Sequence, residues 1–237
     1  MPSIGSPLTH RGRPRHNDVN SSALHEPRSL NHELPLQLAA RLKQGLPGWQ
    51  AQSRYQPELS FGRHLGPTPA GVRPAAVLLS LYPHQGLWHV PLILRTAHML
   101  DHASQVSLPG GMIESGETSQ EAALREFSEE LGPAADDVML LGHLSELYLF
   151  ASNYRITPWV GAVDAYPHWT PSPGEVERVL EVPVAHLRDP ANTSSIERKQ
   201  RGLIFSAPCY CWESERIWGA TSMVLAEFVA CLTSLAL

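Results

Sequence analysis

One stretch, from Pro109 to Gly132, constrains this chain more than any other. It reads Pro-Gly-Gly-Met-Ile-Glu-Ser-Gly-Glu-Thr-Ser-Gln-Glu-Ala-Ala-Leu-Arg-Glu-Phe-Ser-Glu-Glu-Leu-Gly. Gly110, Gly111 and Gly116 permit positive φ and let a ligand approach the backbone closely. Thr118 with Glu121 fits a capping box, so a helix begins there, and Gly132 followed by Pro133 fits its end. Ala123, Phe127 and Leu131 recur at helical spacing and form the stripe that packs on a core. Glu126, Glu129 and Glu130 project from neighbouring positions of another surface of the same helix.

That acidic surface has a cost. Like charges a turn apart repel, and Arg125 is the only basic residue in the helix to offset them. A cation among the acids relieves the repulsion, and hard divalent ions such as Mg²⁺ or Mn²⁺ prefer carboxylate oxygens. An ion held by few protein groups keeps open positions for phosphate oxygens and water, which suits attack on a pyrophosphate. Glu117, just before the cap, reaches the same region if the loop folds back. The alternative is a solvated acidic face. The glycine loop, the cap and the acid spacing together favour the metal-binding reading.

The rest of the chain supplies the setting. Its 237 residues, 43% hydrophobic and 17% charged, are enough for one domain with a full core. A net charge of −5 gives no sign of a general nucleic-acid binder. Three cysteines, Cys209, Cys211 and Cys231, are too few for a disulfide framework and point to a reducing compartment. Cys209 and Cys211 lack the second pair that a zinc site needs. No segment reads as a membrane span or a signal peptide, so a cytoplasmic protein is expected. Residues 1–30, rich in proline, serine and arginine without apolar periodicity, read as a flexible arm, and 31–237 as the folded domain.

Spacing predicts a helix over Leu36–Lys43 and a hairpin of Ala75–Tyr82 with Trp88–Arg95. Ser104–Leu108 reads as a short extended piece. Val138–Leu144, Leu147–Phe150 and Thr157–Val163 read as strands. Glu175–Val179 and the tail from Ala220 read as helices. Strands in a hairpin and then mixed with helices indicate an α+β fold with a mixed sheet.

The acidic segment resembles the Nudix box, G-x5-E-x7-R-E-U-x-E-E-x-G-U, where U is a bulky apolar residue. Gly111, Glu117, Arg125-Glu126-Phe127, Glu129-Glu130-Leu131 and Gly132 fall in frame, and only the final position departs, at Pro133. The resemblance implies an α/β/α sandwich with a mixed β-sheet and hydrolysis of a nucleoside diphosphate linked to another group. It implies that Glu126, Glu129 and Glu130, with the carbonyl of Gly111, bind Mg²⁺ or Mn²⁺. Arg125 then orients the carboxylates through a salt bridge to Glu117. Glu129 is the first choice for the general base, and Glu175 the runner-up, because some relatives use an acid from that later region.

The residues before the box narrow the substrate. Leu94-Arg95-Thr96-Ala97 and His102-Ala-Ser-Gln-Val-Ser-Leu-Pro-Gly-Gly111 resemble the extra motif of coenzyme A pyrophosphatases, L-L-T-x-R-S followed by R-x-H-x-G-Q-V-x-F-P-G-G. Arg95, His102, Gln105, Val106, Pro109, Gly110 and Gly111 match, while Leu100, Ser104 and Leu108 depart. Thr157–Gly161, Glu175-Val176, Val182–Val184 and Ile217–Thr221 extend the likeness over residues 35 to 237. Arg95, His102, Gln105 and Gly110 become substrate-binding residues on this resemblance. It implies cleavage of coenzyme A, or of an acyl or oxidised derivative, into 3′,5′-ADP and 4′-phosphopantetheine. Other diphosphates (ADP-ribose, a nucleotide sugar, NADH) and a non-catalytic nucleotide-binding module are the competing readings. The expected partner is a small-molecule diphosphate, with no nucleic acid and no membrane. The resemblance is compatible with a homodimer, but no residue argues for one.

Overall fold

The strand from Arg73 to His84 (β1) organises the molecule, because its alternating side chains serve two different cores. Ala76, Leu78 and Tyr82 face one of them, and Leu79 and Leu81 face the other. In this computed structural model residues 30–60, 69–98, 103–200 and 202–235 are described. The arm read over 1–30 therefore lies outside the described residues except for Leu30, as do Leu100 and His102.

The hairpin forms as the sequence predicts, with β2 over Leu87–Arg95 pairing antiparallel to the end of β1. Short strands follow at Val106–Ser107 (β3) and Gly110–Met112 (β4). β5 (Met139–His143), β6 (Leu147–Leu149) and β7 (Tyr154–Ala162) come next, then β8 (Val176–Pro183). β1 pairs in parallel with β7 and antiparallel with β4, so the sheet of eight strands is mixed. β3 and β8 flank β2, while β5 and β6 pair with β7.

The helices cover both faces. The helix Ser119–Leu131 (α3) packs Ala122, Ala123, Phe127 and Leu131 against Ala76, Leu78 and Tyr82. On the opposite face lie α1 (Leu34–Leu42), with Leu34, Leu38 and Leu42 inward, and α5 (Ala220–Thr233), with Val224, Leu225 and Phe228 inward. The short helices α2 (Trp49–Gln52) and α4 (Val184–Arg188) lie in sequence between them. The layering is thus α/β/α. A sheet of three strands, β9 (Thr193–Gln200), β10 (Leu203–Trp212) and β11 (Glu215–Trp218), adjoins it. No described helix is long and apolar enough to cross a membrane.

The helix expected over Glu175–Val179 is corrected to a strand. From Val176 the chain pairs antiparallel with β2, with one register shift near its start, and Val176, Leu180 and Val182 are buried. So short a run has too little length to nucleate a helix, and its valines fit a pleated surface better.

Candidate active site

The acidic helix is fixed at both ends. At its start Glu121 N donates to Thr118 Oγ1 at 3.2 Å, and Thr118 N donates to Glu121 Oε2 at 2.8 Å, which is the reciprocal capping box. At its end Gly132 N donates to Ser128 O at 2.9 Å. Burial of Ala123, Phe127 and Leu131 then fixes the helix rotation and turns the acids toward β4.

β4 reaches the helix because it begins with two glycines. Gly110 has φ +150°, and a Cβ there would stand 2.6 Å from Val77 Cα on the neighbouring strand. A Cβ on Gly111 would collide with the Glu126 carboxylate. Backbone and carboxylate can approach only because neither residue carries a side chain.

Arg125 is the hub. Its Nε donates to Glu117 Oε1 at 2.8 Å and its Nη2 to Glu117 Oε2 at 3.1 Å. Nη1 donates to Glu126 Oε1 at 2.9 Å and to Glu129 Oε2 at 3.0 Å. Nη2 also donates to Met112 O at 3.1 Å, a backbone partner without a sequence signature. The Arg125–Glu117 bridge that the resemblance implied is therefore formed. The guanidinium holds the Glu117 carboxyl below the usual range, helped by the Glu114 amide. Those carboxylates in turn push the Arg125 pKa up.

Glu130 stands apart from this hub and is only 2% exposed. Burial pushes its pKa up to about 8, although the Gly110 amide and Arg95 act in the opposite direction. Gly110 N donates to its Oε2 at 2.9 Å, and Arg95 Nη1 lies 3.6 Å from its Oε1. Burial also raises Glu126, with the charges of Glu129 and Glu175 adding to it against the pull of Arg125.

The two motif regions meet here. Arg95 N donates to Gln105 O at 3.0 Å, and Ser104 N donates to Arg95 O at 3.2 Å, so Arg95 pairs with the segment Ser104-Gln105 beside Glu130. Ser104 has φ +54°, a left-handed conformation that explains why a glycine suits this position in the motif. Glu175, although exposed, sits where its charge is felt at Glu126 and Glu130. Of the expected site residues, Arg95, Gln105, Gly110, Gly111, Glu117, Arg125, Glu126, Glu129, Glu130 and Glu175 share this one region, and His102 lies outside the described residues.

Among the described residues, no three histidine, cysteine or acidic side chains are gathered closely enough to grip a metal ion as they stand. Arg125 draws Glu126 and Glu129 to itself, and the Gly110 amide holds Glu130. The donor set nevertheless fits a hard divalent cation. Its carboxylates repel one another, two of them are pushed toward the protonated form, and Gly111, lacking a Cβ, lets the Glu126 carboxylate lie directly against the β4 backbone.

A family model for the NUDIX domain matches residues 72–200. The chain belongs to the Nudix family. Nudix hydrolase 3 of Caenorhabditis elegans is 28% identical over 173 residues, which cover 66% of this chain and 72% of the relative. The Nudix hydrolase NudL of Salmonella paratyphi B is 32% identical over 158 residues, covering 65% and 80%. Among solved structures, a MutT/nudix family protein from Enterococcus faecalis aligns with a TM-score of 0.48 at 15% identity, over 78% of this chain and 73% of that one. RenU, a Nudix hydrolase from M. Smegmatis, aligns at 0.42 and 24%, over 48% and 72%.

The chain is accordingly a Nudix hydrolase with the acids and arginine of the box in place. The one departure is Pro133, just past the helix end, where a later loop is held by Thr170 N donating to Leu131 O at 2.9 Å and Ser172 N to Glu130 O at 3.0 Å.

Proposed function

We propose that this Nudix hydrolase cleaves the diphosphate of coenzyme A, or of its acyl or oxidised derivatives, to 3′,5′-ADP and 4′-phosphopantetheine or its acyl form. The observation that carries this reading is the contact of Arg95, from the run before the box, with Glu130 of the box. It makes one site of the substrate-like motif and the acidic helix, with Gln105 and Gly110 at the same edge.

In this reading Glu126, Glu129 and Glu130, with the carbonyl of Gly111, hold Mg²⁺ or Mn²⁺. A cation held there would supply positive charge to offset that of the diphosphate. Arg125 keeps Glu117 and the helix acids in register. Arg95 offsets phosphate charge at the Glu130 edge. The base accepts a proton from the attacking water. Sequence alone puts Glu129 first, but its carboxylate is engaged by Arg125, whose Nη1 donates to Oε2 at 3.0 Å. The carboxylate of Glu175 accepts no hydrogen bond among the described residues, and this favours Glu175. We place the domain at 31–237 and the protein in the cytoplasm.

The test is a product assay with Mg²⁺ or Mn²⁺ and, separately, coenzyme A, acetyl-coenzyme A, ADP-ribose and NADH, read by mass. The expected products are 3′,5′-ADP and phosphopantetheine. AMP from ADP-ribose or NADH alone would replace the coenzyme A reading with the second one, which the departures at Leu100, Ser104 and Leu108 favour. Tight, metal-independent nucleotide binding with no turnover would point to a binding module instead.

A further inference from the structure

The turn that carries Glu175 is anchored on one side to the end of the box helix and on the other to a residue outside the box. On one side it caps the acidic helix, through Thr170 N to Leu131 O at 2.9 Å and Ser172 N to Glu130 O at 3.0 Å. Within the turn, Glu175 N and Val176 N both donate to Ser172 O, at 3.2 and 2.9 Å. On the other side stands Thr96. Its amide donates to Glu175 O at 3.1 Å, and its hydroxyl donates to Gly174 O at 3.2 Å. Thr96 follows Arg95, which pairs with Val176 across a register shift between Leu94 and Arg95. Such an irregularity bends a strand and re-aims its side chains. It leaves Arg95 beside Glu130 and the next residue gripping the turn.

We propose that Thr96 is a positioning residue for Glu175, its hydroxyl and amide fixing the Ser172–Glu175 turn to the end of β2 beside the Arg95–Glu130 pair. This rests on the reading of Glu175 as the base. The backbone amide supplies one tie whatever residue stands there, so the side-chain contribution is the hydroxyl bond to Gly174 O. Without it the turn keeps its helix-capping side and loses half of its hold on β2. Glu175 itself has no side-chain hydrogen bond among the described residues, so the turn backbone alone sets its direction. A carboxylate that must meet one water in one geometry is sensitive to displacement of about 1 Å, which can cost up to about a hundredfold in rate.

The experiment uses Thr96→Val, which keeps the branched shape and removes the hydroxyl, with Thr96→Ser as the conservative control. Thr96→Val is expected to lower kcat by about tenfold with KM within about twofold, and Thr96→Ser to restore kcat to within about twofold of the parent. In a Glu175→Gln background Thr96→Val is expected to cost nothing further, because the two residues act as one unit. Amide exchange over residues 172–176 of the full chain without metal is expected to rise in Thr96→Val and to stay at the parent level in Glu175→Gln. Equal losses of kcat in both backgrounds, full kcat in Thr96→Val, or exchange unchanged by it would each overturn the proposal. Full kcat in Glu175→Gln overturns both this inference and the choice of base. The exchange arm needs no turnover, so failure of the hydrolytic reading and failure of the tether are read separately.

Discussion

Arg125 grips Glu117 with two parallel bonds, Nε to Oε1 at 2.8 Å and Nη2 to Oε2 at 3.1 Å, while its remaining amino group spans Glu126 and Glu129. This planar fork is what ties the loop before the helix to the helix acids. A lysine carries the charge but not the fork. Arg125→Lys is therefore expected to fold and to lose about 10- to 100-fold in kcat, measured alongside the circular dichroism melt. Parental turnover in that variant would show that charge alone suffices at this position.

Glu130 is buried with one amide donor and one distant guanidinium, so its charge is poorly compensated without a cation. Glu130→Gln keeps the shape, and its amide oxygen can still accept from Gly110 N. The neutral side chain avoids the cost of burying a charge. The expected outcome is a melting temperature at pH 8 equal to or above the parent's, with kcat lower by about a hundredfold or more. Undiminished turnover would remove Glu130 from the cation's ligands.

The helix, its caps and its two stripes were legible because each depends on residues within a few positions: Thr118 with Glu121, Phe127 with Leu131, Glu126 with Glu130. The hairpin was legible as two apolar runs separated by the turn Pro83-His-Gln-Gly86. What the sequence hid depends on contacts between distant segments. Glu175–Val179 reads either way over so few residues, and only pairing with β2 makes it strand. β9 went unread because Thr-Ser-Ser-Ile-Glu-Arg-Lys-Gln carries no apolar periodicity. The Met112 carbonyl that receives Arg125, and the turn that caps the helix end, carry no side-chain signature at all.

Glu181, at the far end of the sheet, sits in a cage of donors. Tyr82 Oη donates to its Oε2 at 2.7 Å, Trp169 Nε1 to the same oxygen at 3.1 Å, and Tyr166 Oη to Oε1 at 3.1 Å. Burial alone would raise its pKa, but the three donors outweigh it and the net shift is downward. A carboxyl lowered in the folded state adds stability above its unfolded value, and that stability is lost as pH falls through the folded value. Glu181→Gln is thus expected to cost about 1 kcal/mol at pH 7, with the difference from the parent shrinking below about pH 4.5. Urea melts at pH 7 and pH 3.5 check this, and a difference that grows on acidification would contradict it.

Glu227 on α5 is fully buried and joins three distant segments. Its Oε1 accepts from Gly48 N at 2.9 Å and Ser145 Oγ at 2.7 Å, and its Oε2 accepts from Gln52 Nε2 at 2.8 Å and Ser145 N at 3.2 Å. These donors belong to the turn before α2, to α2 itself and to the connection after β5, so one carboxylate closes the face opposite α3. Glu227→Ala removes the acceptor of these largely enclosed donors and opens a cavity. The expected loss is about 3 kcal/mol, which for a chain of this size lowers the melting temperature by about 8 °C. Glu227→Gln retains the volume, but its amide group must face at least one donor, so an intermediate loss is expected. The acidic helix lies across the sheet from this tie. Turnover per folded molecule at 25 °C should therefore match the parent's, while the scanning calorimetry midpoint falls. A full-strength midpoint in Glu227→Ala would mean that water or a neighbouring side chain replaces the carboxylate. A loss of turnover in the still-folded variant would mean that the two faces of the sheet are coupled.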